Sequence, residues 1–253
     1  MLRVVLWCAL ACVSLPSVAE ENAEPTAREL VAGALDLMRG TTSYAEMEMV
    51  IHRPDWERRS RLVAWTRGRE DALIRFTAPA RDAGNATLKR GDNMWTFTPK
   101  LNRTVRLPFS LMAQSWAGSD FSYNDLARSD KLLEHYDLSL VDAADREGHR
   151  VYTVAAVPRE NAPVVWGKEV LELRGDYVLL RHTFFDQNMQ ALKRMTTLEI
   201  DERDGRIMPT RLRMLQLDEP ERYTEVRYRT VEFGVSLDDE LFTLFALRTG
   251  ASP

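Results

Sequence analysis

The stretch from Trp116 to Leu126, WAGSDFSYNDL, sets a serine beside an aspartate in a glycine-containing loop and follows them with Asn124-Asp125. For Ser119 to act as a nucleophile, a base must take its proton and a third group must orient that base. The sequence supplies neither. No G-x-S-x-G elbow is present, and nothing in the sequence places the nearest histidine, His135, beside Ser119. Ser122 followed three residues later by Asp125 has instead the spacing of a capping box. The segment therefore reads as loop up to Phe121 and helix after Ser122, with Leu126, Leu132 and Leu133 available for burial. Ser119 and Asp120 would then satisfy backbone donors in the loop. The structural reading, a latch, outweighs the catalytic one.

Other chemistry is equally sparse. The four histidines, His52, His135, His149 and His182, show neither H-E-x-x-H nor H-x-H spacing, so no metal site is assigned. His52 and His182 fall in strand patterns, where a hydrogen-bonded, partly buried histidine is the usual case. Carboxylates are plentiful, but none stands out as an acid–base pair. Gly-rich phosphate loops are missing, and no cofactor or catalytic residue is assigned. A formal charge of −4 without a basic block argues against nucleic acid as a partner.

The first residues, MLRVVLWCALACVSLPSVAEE, read as an export leader. Arg3 is its charged start, Val4 to Leu15 its apolar run, and Ser17-Val18-Ala19 a small-residue cleavage site, so residues 1–19 are expected to be removed. The run is too short to span a bilayer. Both cysteines, Cys8 and Cys12, lie inside it, which leaves residues 20–253 without thiols for disulfides, catalysis or metal binding. Cys12 carries a second reading as a lipidated cysteine, weakened by Ala9, where such motifs want a branched aliphatic residue.

Pro25 to Glu29 opens a helix whose apolar stripe is Leu30, Val31, Ala34, Leu35 and Met38, ended by Gly40. From there the period changes to two. YAEMEMVIHR, RLVAWTRG, EDALIRF, ATLKR, NMWTFTP and RTVRLP read as strands, with Gly91-Asp92-Asn93 turning between ATLKR and NMWTFTP. DLSLVDA, HRVYTVAAV, KEVLELR, YVLLRHTFF, RMTTLEID, MPTRLRMLQL and Glu221 to Phe233 continue the pattern, joined by Gly-containing turns. Ser110 to Trp116 reads as a short helix, Tyr123 to Leu133 as another, and Leu237 to Phe242 as a single turn before a terminal strand. Residues 20–253 are thus expected to form one mainly β domain: an incomplete, half-open antiparallel barrel of about eleven strands, covered by a few α-helices.

The apolar side of those strands is unusual. Met47, Met49, Trp65, Phe76, Trp95, Phe97, Trp166, Met195, Met208 and Met214 are large or soft groups spread over many strands. Taken singly, each is most simply core. Taken together, they suit a cavity that accepts varied apolar guests, because a half-closed sheet cannot fill its own hollow. The candidate lipid-binding residues are Met47, Met49, Trp65, Phe76, Trp95 and Phe97 on the walls, with Met112, Trp116 and Phe121 in a lid running from Leu111 to Leu133.

The residues in order also carry a resemblance: WTRG, IRFTAPARDAGNATLKRGDNMWTFTPKLNRTVRLP, GSDFSYNDL, APVVWGKEVLEL, IMPTRLRM and LDDELFTLFALR. The chain resembles the outer-membrane lipoprotein-sorting, LolA-like family of periplasmic carriers. The resemblance implies the periplasm and a cavity that shelters acyl chains of a lipoprotein or lipid. For want of an assembled catalytic site no enzymatic activity is expected, and the chain is expected to be a monomer. The resemblance also implies a donor, an inner-membrane transporter, and an outer-membrane acceptor. The alternative function is a non-carrier adaptor or lipoprotein sensor acting with an inner-membrane transporter. A periplasmic hydrolase ranks third, for want of an assembled site.

Overall fold

A computed structural model describes residues 24–127 and 131–250; the leader assigned to residues 1–19 lies outside them. The opening helix, α1, spans Ala27–Arg39. Thr26 caps it: its Oγ1 accepts from the Glu29 amide at 3.2 Å, while the Glu29 carboxylate accepts from the Thr26 amide at 2.8 Å. Two donors of the first turn are satisfied at once. Ala27, Leu30, Val31 and Ala34 form its buried stripe, and Gly40, at φ +59°, ends it.

Two antiparallel meanders follow. The first comprises β1 (Thr42–Arg53), β2 (Trp56–Arg67), β3 (Asp71–Ala78), β4 (Ala86–Arg90), β5 (Asn93–Thr98) and β6 (Arg103–Arg106). The second comprises β7 (Tyr136–Arg146), β8 (His149–Pro158), β9 (Lys168–Arg174), β10 (Leu179–Phe185), β11 (Ala191–Arg203), β12 (Arg206–Gln216) and β13 (Tyr223–Phe233). Pairing of β1 with β13 joins them into one thirteen-stranded sheet whose edges, β6 and β7, do not meet. The expected half-open antiparallel barrel is what forms, with thirteen strands in place of about eleven.

Register assigns the side chains to two faces. The row Ile51, Thr224, Met214, Met195, His182, Leu171, Val154 crosses seven strands on the inner face. Here α1 packs against Tyr152, Val154, Leu171 and Leu173. Two short helices, α2 (Tyr123–Ala127) and α3 (Leu132–His135), carry further cover. The single helix expected over Tyr123 to Leu133 is therefore two, flanking residues outside the described range. On the outer face the row Tyr44, Trp65, Leu73, Leu88, Trp95 is covered by the C-terminal segment, a 3₁₀ turn at Asp239–Phe242 and helix α4 (Leu244–Thr249).

Two expected elements are corrected. The terminal strand is α4: Thr243 Oγ1 accepts from the Ala246 amide at 3.1 Å, and Arg75 Nη2 donates to the Ala246 carbonyl at 2.9 Å. Capped at both ends, even six residues hold a helix. The helix expected at Ser110 to Trp116 is only a 3₁₀ turn at Phe109–Leu111. Past it the Trp116 amide donates to the Phe121 carbonyl at 2.8 Å and Ser115 bridges Ser122, so the chain doubles back before a second helical turn can form.

Candidate functional site

The doubled-back loop is the latch expected from WAGSDFSYNDL, and it lies on the inner face. Its tip is a tight turn in which the Ser119 amide donates to the Trp116 carbonyl at 2.9 Å. Ala117 and Gly118 both take left-handed backbone, at φ +53° and +72°. Glycine suits that region and alanine is strained there. Ser119 Oγ donates to the Trp116 carbonyl at 2.7 Å and accepts from the Phe121 amide at 3.2 Å. With its hydroxyl engaged by the main chain, Ser119 is a turn residue.

Asp120 anchors the latch to the sheet. Arg53 of β1 grips it with both terminal nitrogens, Nη1 to Oδ2 at 3.0 Å and Nη2 to Oδ1 at 3.2 Å. From β13, Thr224 Oγ1 donates to Oδ2 at 2.7 Å and accepts from the Asp120 amide at 3.0 Å. The two charged side chains are 9% and 2% exposed, so this is a buried, bidentate pair with its remaining valences filled. Arg58 of β2 donates to the Ala117 carbonyl. Trp116 Nε1 donates to Thr87 Oγ1 of β4 at 3.1 Å, and its ring lies 5.5 Å from that of Phe76.

A second buried pair holds α2. The Asp125 carboxylate caps the helix, accepting from the Ser122 amide at 2.7 Å, and Ser122 Oγ accepts from the Asp125 amide at 3.3 Å, as the capping-box spacing predicts. Lys193 Nζ of β11 pairs with the same carboxylate at 2.5 Å and sits 4.7 Å from the Trp166 ring centre and 4.9 Å from that of Phe184. His182 stacks on Phe184 at 4.0 Å and bonds Glu169 at 2.6 Å, the satisfied strand histidine expected from sequence. His52 stacks on Tyr223 at 4.6 Å. At α3, Lys131 reaches Glu134 at 2.9 Å and Asp92 at 3.1 Å. Burial opposes its charge, but those two carboxylates outweigh it and push the ammonium up to about 12.

The latch stands between two cavities. One, of about 430 Å³, is lined by Trp116, Ala117 and Gly118 from the latch, by Phe76, Thr87 and Thr96 from the sheet, and by Arg58, Asp82, Asn85 and Tyr123 around them. Burial raises the Tyr123 phenol above its ordinary pKa. The other, of about 210 Å³, is lined by the opposite side of the latch, Ser115 and Ser119 to Ser122, together with Trp166, Leu192, Lys193 and Gln216. Among the described residues no group of histidines and carboxylates is placed to hold a metal ion.

The nine candidate lipid-binding residues are divided by this geometry. Met47, Met49, Phe76, Trp116 and Phe121 meet in one inner-face cluster with Ile51, Leu62, Phe184 and Met214. Met112 packs beside it with Met94 and Leu107. Trp65, Trp95 and Phe97 pack on the outer face with Leu241, Phe242 and Leu247, and of these three only Phe97 borders the larger cavity. The polar anchors Arg53, Arg58, Thr224 and Lys193 were not anticipated. A signal existed for Arg53, which continues the inward period Met47, Met49, Ile51 with a charge. A charged residue on an apolar stripe demands a buried partner.

A family model described as that of an uncharacterized protein matches residues 68–249. No curated protein matches the chain. Among solved structures, a DUF1329 family protein from Desulfovibrio piger is similar at 22% identity and a TM-score of 0.78, covering 87% of this chain and 97% of that one. A Vibrio parahaemolyticus domain described as outer membrane lipoprotein-sorting is similar at 20% identity and 0.76, over 90% and 100%. A LolA superfamily protein from Nitrosomonas europaea is similar at 20% identity and 0.73, over 87% and 98%. At these identities the likeness carries the fold, and that fold is the LolA-like one the sequence resembles.

Proposed function

We propose that this chain, which belongs to the family matched over residues 68–249 and has the LolA-like fold, is a periplasmic carrier that shelters acyl chains of a lipoprotein or lipid. In this reading residues 1–19 direct export and residues 20–253 act as one binding domain and as a monomer. Cargo comes from an inner-membrane transporter and passes to an outer-membrane acceptor. The protein binds and releases; it does not turn over a substrate.

One observation carries the reading: the latch separates two cavities over the apolar inner face of a sheet that does not close. Trp116 faces one side and Phe121 the other, so lifting the loop would join the two spaces over Met49, Phe76 and Met214. An acyl chain in water forgoes about 0.8 kcal/mol for each methylene left exposed, and a groove with methionine and aromatic walls recovers that without fixing one shape. Besides the packing of Trp116 and Phe121, the latch is tied by polar bonds to separate strands, and discrete ties of that kind suit a lid that opens and recloses.

Native mass spectrometry of protein purified from a bacterial periplasm tests the proposal. Co-purifying or exchangeable lipid or acylated protein is expected. Photo-crosslinkers in place of Thr96 and Tyr123, both facing the larger cavity, should label the acyl chain. Purified protein that neither carries nor takes up any acylated molecule would sink the carrier reading.

A further inference from the structure

The larger cavity is not uniformly apolar. Phe76, Trp116 and Tyr123 form part of its wall, but Arg58 and Asp82 line it too. Arg58 uses Nη2 on the Ala117 carbonyl, while its Nε is buried without a hydrogen-bond acceptor. Asp82 Oδ2 is buried without a donor; Arg81 Nε stands 3.5 Å away as an ion contact that makes no hydrogen bond. Arg58 and Asp82 thus set a positive and a negative group at one cavity, and a ligand with the reciprocal charges would meet both. An anion alone satisfies Arg58 and is repelled by Asp82; a cation alone does the reverse.

Resting on the carrier reading, we propose that this cavity takes a single acyl chain bearing a zwitterionic phosphate–ammonium head, with Arg58 holding the phosphate and Asp82 the ammonium. Size sets the single chain. A volume of about 430 Å³ lies near the lower end of the roughly 300–1,000 Å³ typical of small-molecule sites, too little for several acyl chains together. The aromatic wall takes the hydrocarbon, and the Thr96 hydroxyl faces the same space. Arg58 also grips the latch at Ala117, so the group that reads the head touches the loop that would move.

Binding of palmitoyl lysophosphatidylethanolamine, palmitoyl lysophosphatidylglycerol and monopalmitoylglycerol to the purified protein, below their aggregation concentrations, decides the matter by native mass spectrometry and tryptophan fluorescence. The ethanolamine ligand is expected to bind about tenfold more tightly than the glycerol one, the discrimination set by one charge-assisted contact. D82N should bring the two within about twofold of each other, and R58M should weaken both about tenfold more than it changes monopalmitoylglycerol, which shares any effect of the lost latch contact. D82N leaves the latch bonds in place, so it decides the question even if R58M unfolds. Equal binding of all three ligands by the wild type would overturn the head assignment and leave the carrier standing. Binding of none would overturn both. Glycerophosphoethanolamine, the head without a chain, should not compete at the same concentrations; competition would show that a free phosphate–amine is the ligand and overturn the proposal.

Discussion

The Arg53–Asp120 pair is the test case for the latch. D120A leaves the Arg53 guanidinium, 9% exposed, without its carboxylate, and strips Thr224 Oγ1 of the acceptor it holds at 2.7 Å. Removing one partner of a buried pair costs about 3–5 kcal/mol, because the survivor stays desolvated and uncompensated. For a chain of this size, each 1 kcal/mol shifts the melting temperature by about 2–4 °C, so D120A is expected to lower it by roughly 6–20 °C. D120N keeps hydrogen-bonding atoms near Thr224 and Arg53 but loses the charge, and should fall between. The double variant R53M/D120L, which replaces the pair by apolar groups of similar bulk, should cost less than either R53M or D120L alone. Urea unfolding followed by tryptophan fluorescence gives the free energies. A D120A loss below about 0.5 kcal/mol, or single losses that simply add in the double variant, would refute the buried-anchor reasoning.

T26A removes the acceptor of the α1 capping box and should cost about 1 kcal/mol, read from urea unfolding. G118A places a Cβ at φ +72° and 3.4 Å from Arg58 Nη2, and is expected to destabilise by about 1–2 kcal/mol. A117G, at φ +53°, should stay within about 1 kcal/mol of the wild type, so opposite treatment of neighbouring residues checks the turn geometry in one pair of melts. For Glu225, burial raises the carboxyl pKa, but hydrogen bonds from Arg213 and Arg211 outweigh it and hold it below 4.5. A depressed folded value means the pair stabilises fully above the unfolded pKa and is lost as pH falls through the folded one. The stability gap between wild type and E225Q should therefore be constant between about pH 6 and 8 and shrink below about 4.5; a gap that widens with acid would contradict the assignment.

Much of the architecture is legible because it is local. The α1 cap, its stripe and Gly40 lie within fifteen consecutive positions, and hairpin turns such as Gly91-Asp92-Asn93 declare themselves by residue type. What is not legible is which face a strand turns inward. Trp65 and Phe76 both sit in alternating patterns, yet Leu62, not Trp65, pairs with Phe76, so the two aromatics point to opposite faces. That parity depends on hairpin length and on register shifts such as the one between Arg61 and Leu62, which no composition reveals. Trp95 and Phe97 go outward with Trp65 for the same reason, covered by a C-terminal helix that sequence reads as strand. The site was half legible. Capping-box spacing located α2, but Asp120 meets Arg53 across 67 positions and Thr224 across 104, and only the closed β1–β13 pairing brings them together.

The open seam and the polar latch belong to one arrangement. The β6 edge is four residues long and carries Arg103 and Arg106; the β7 edge has a register shift between Leu140 and Asp142. Short, charged or irregular edges discourage further strand pairing, in keeping with two edges that do not meet. The hollow must then be covered by something other than strands. An apolar plug as well packed as the core would cover it permanently, since interiors at native density do not part in pieces. The latch instead packs only Trp116 and Phe121 on the apolar floor and adds polar holds from Arg53, Arg58, Thr87 and Thr224, on four strands. If the carrier proposal holds, a ligand head or water replaces those polar partners as the cover lifts, and what lies beneath stays folded. Hydrogen exchange makes the distinction: the Trp116 to Phe121 amides should exchange by a local opening at far lower free energy than the amides of β1 and β13, whereas equal protection of latch and sheet would mean the loop is core and never moves.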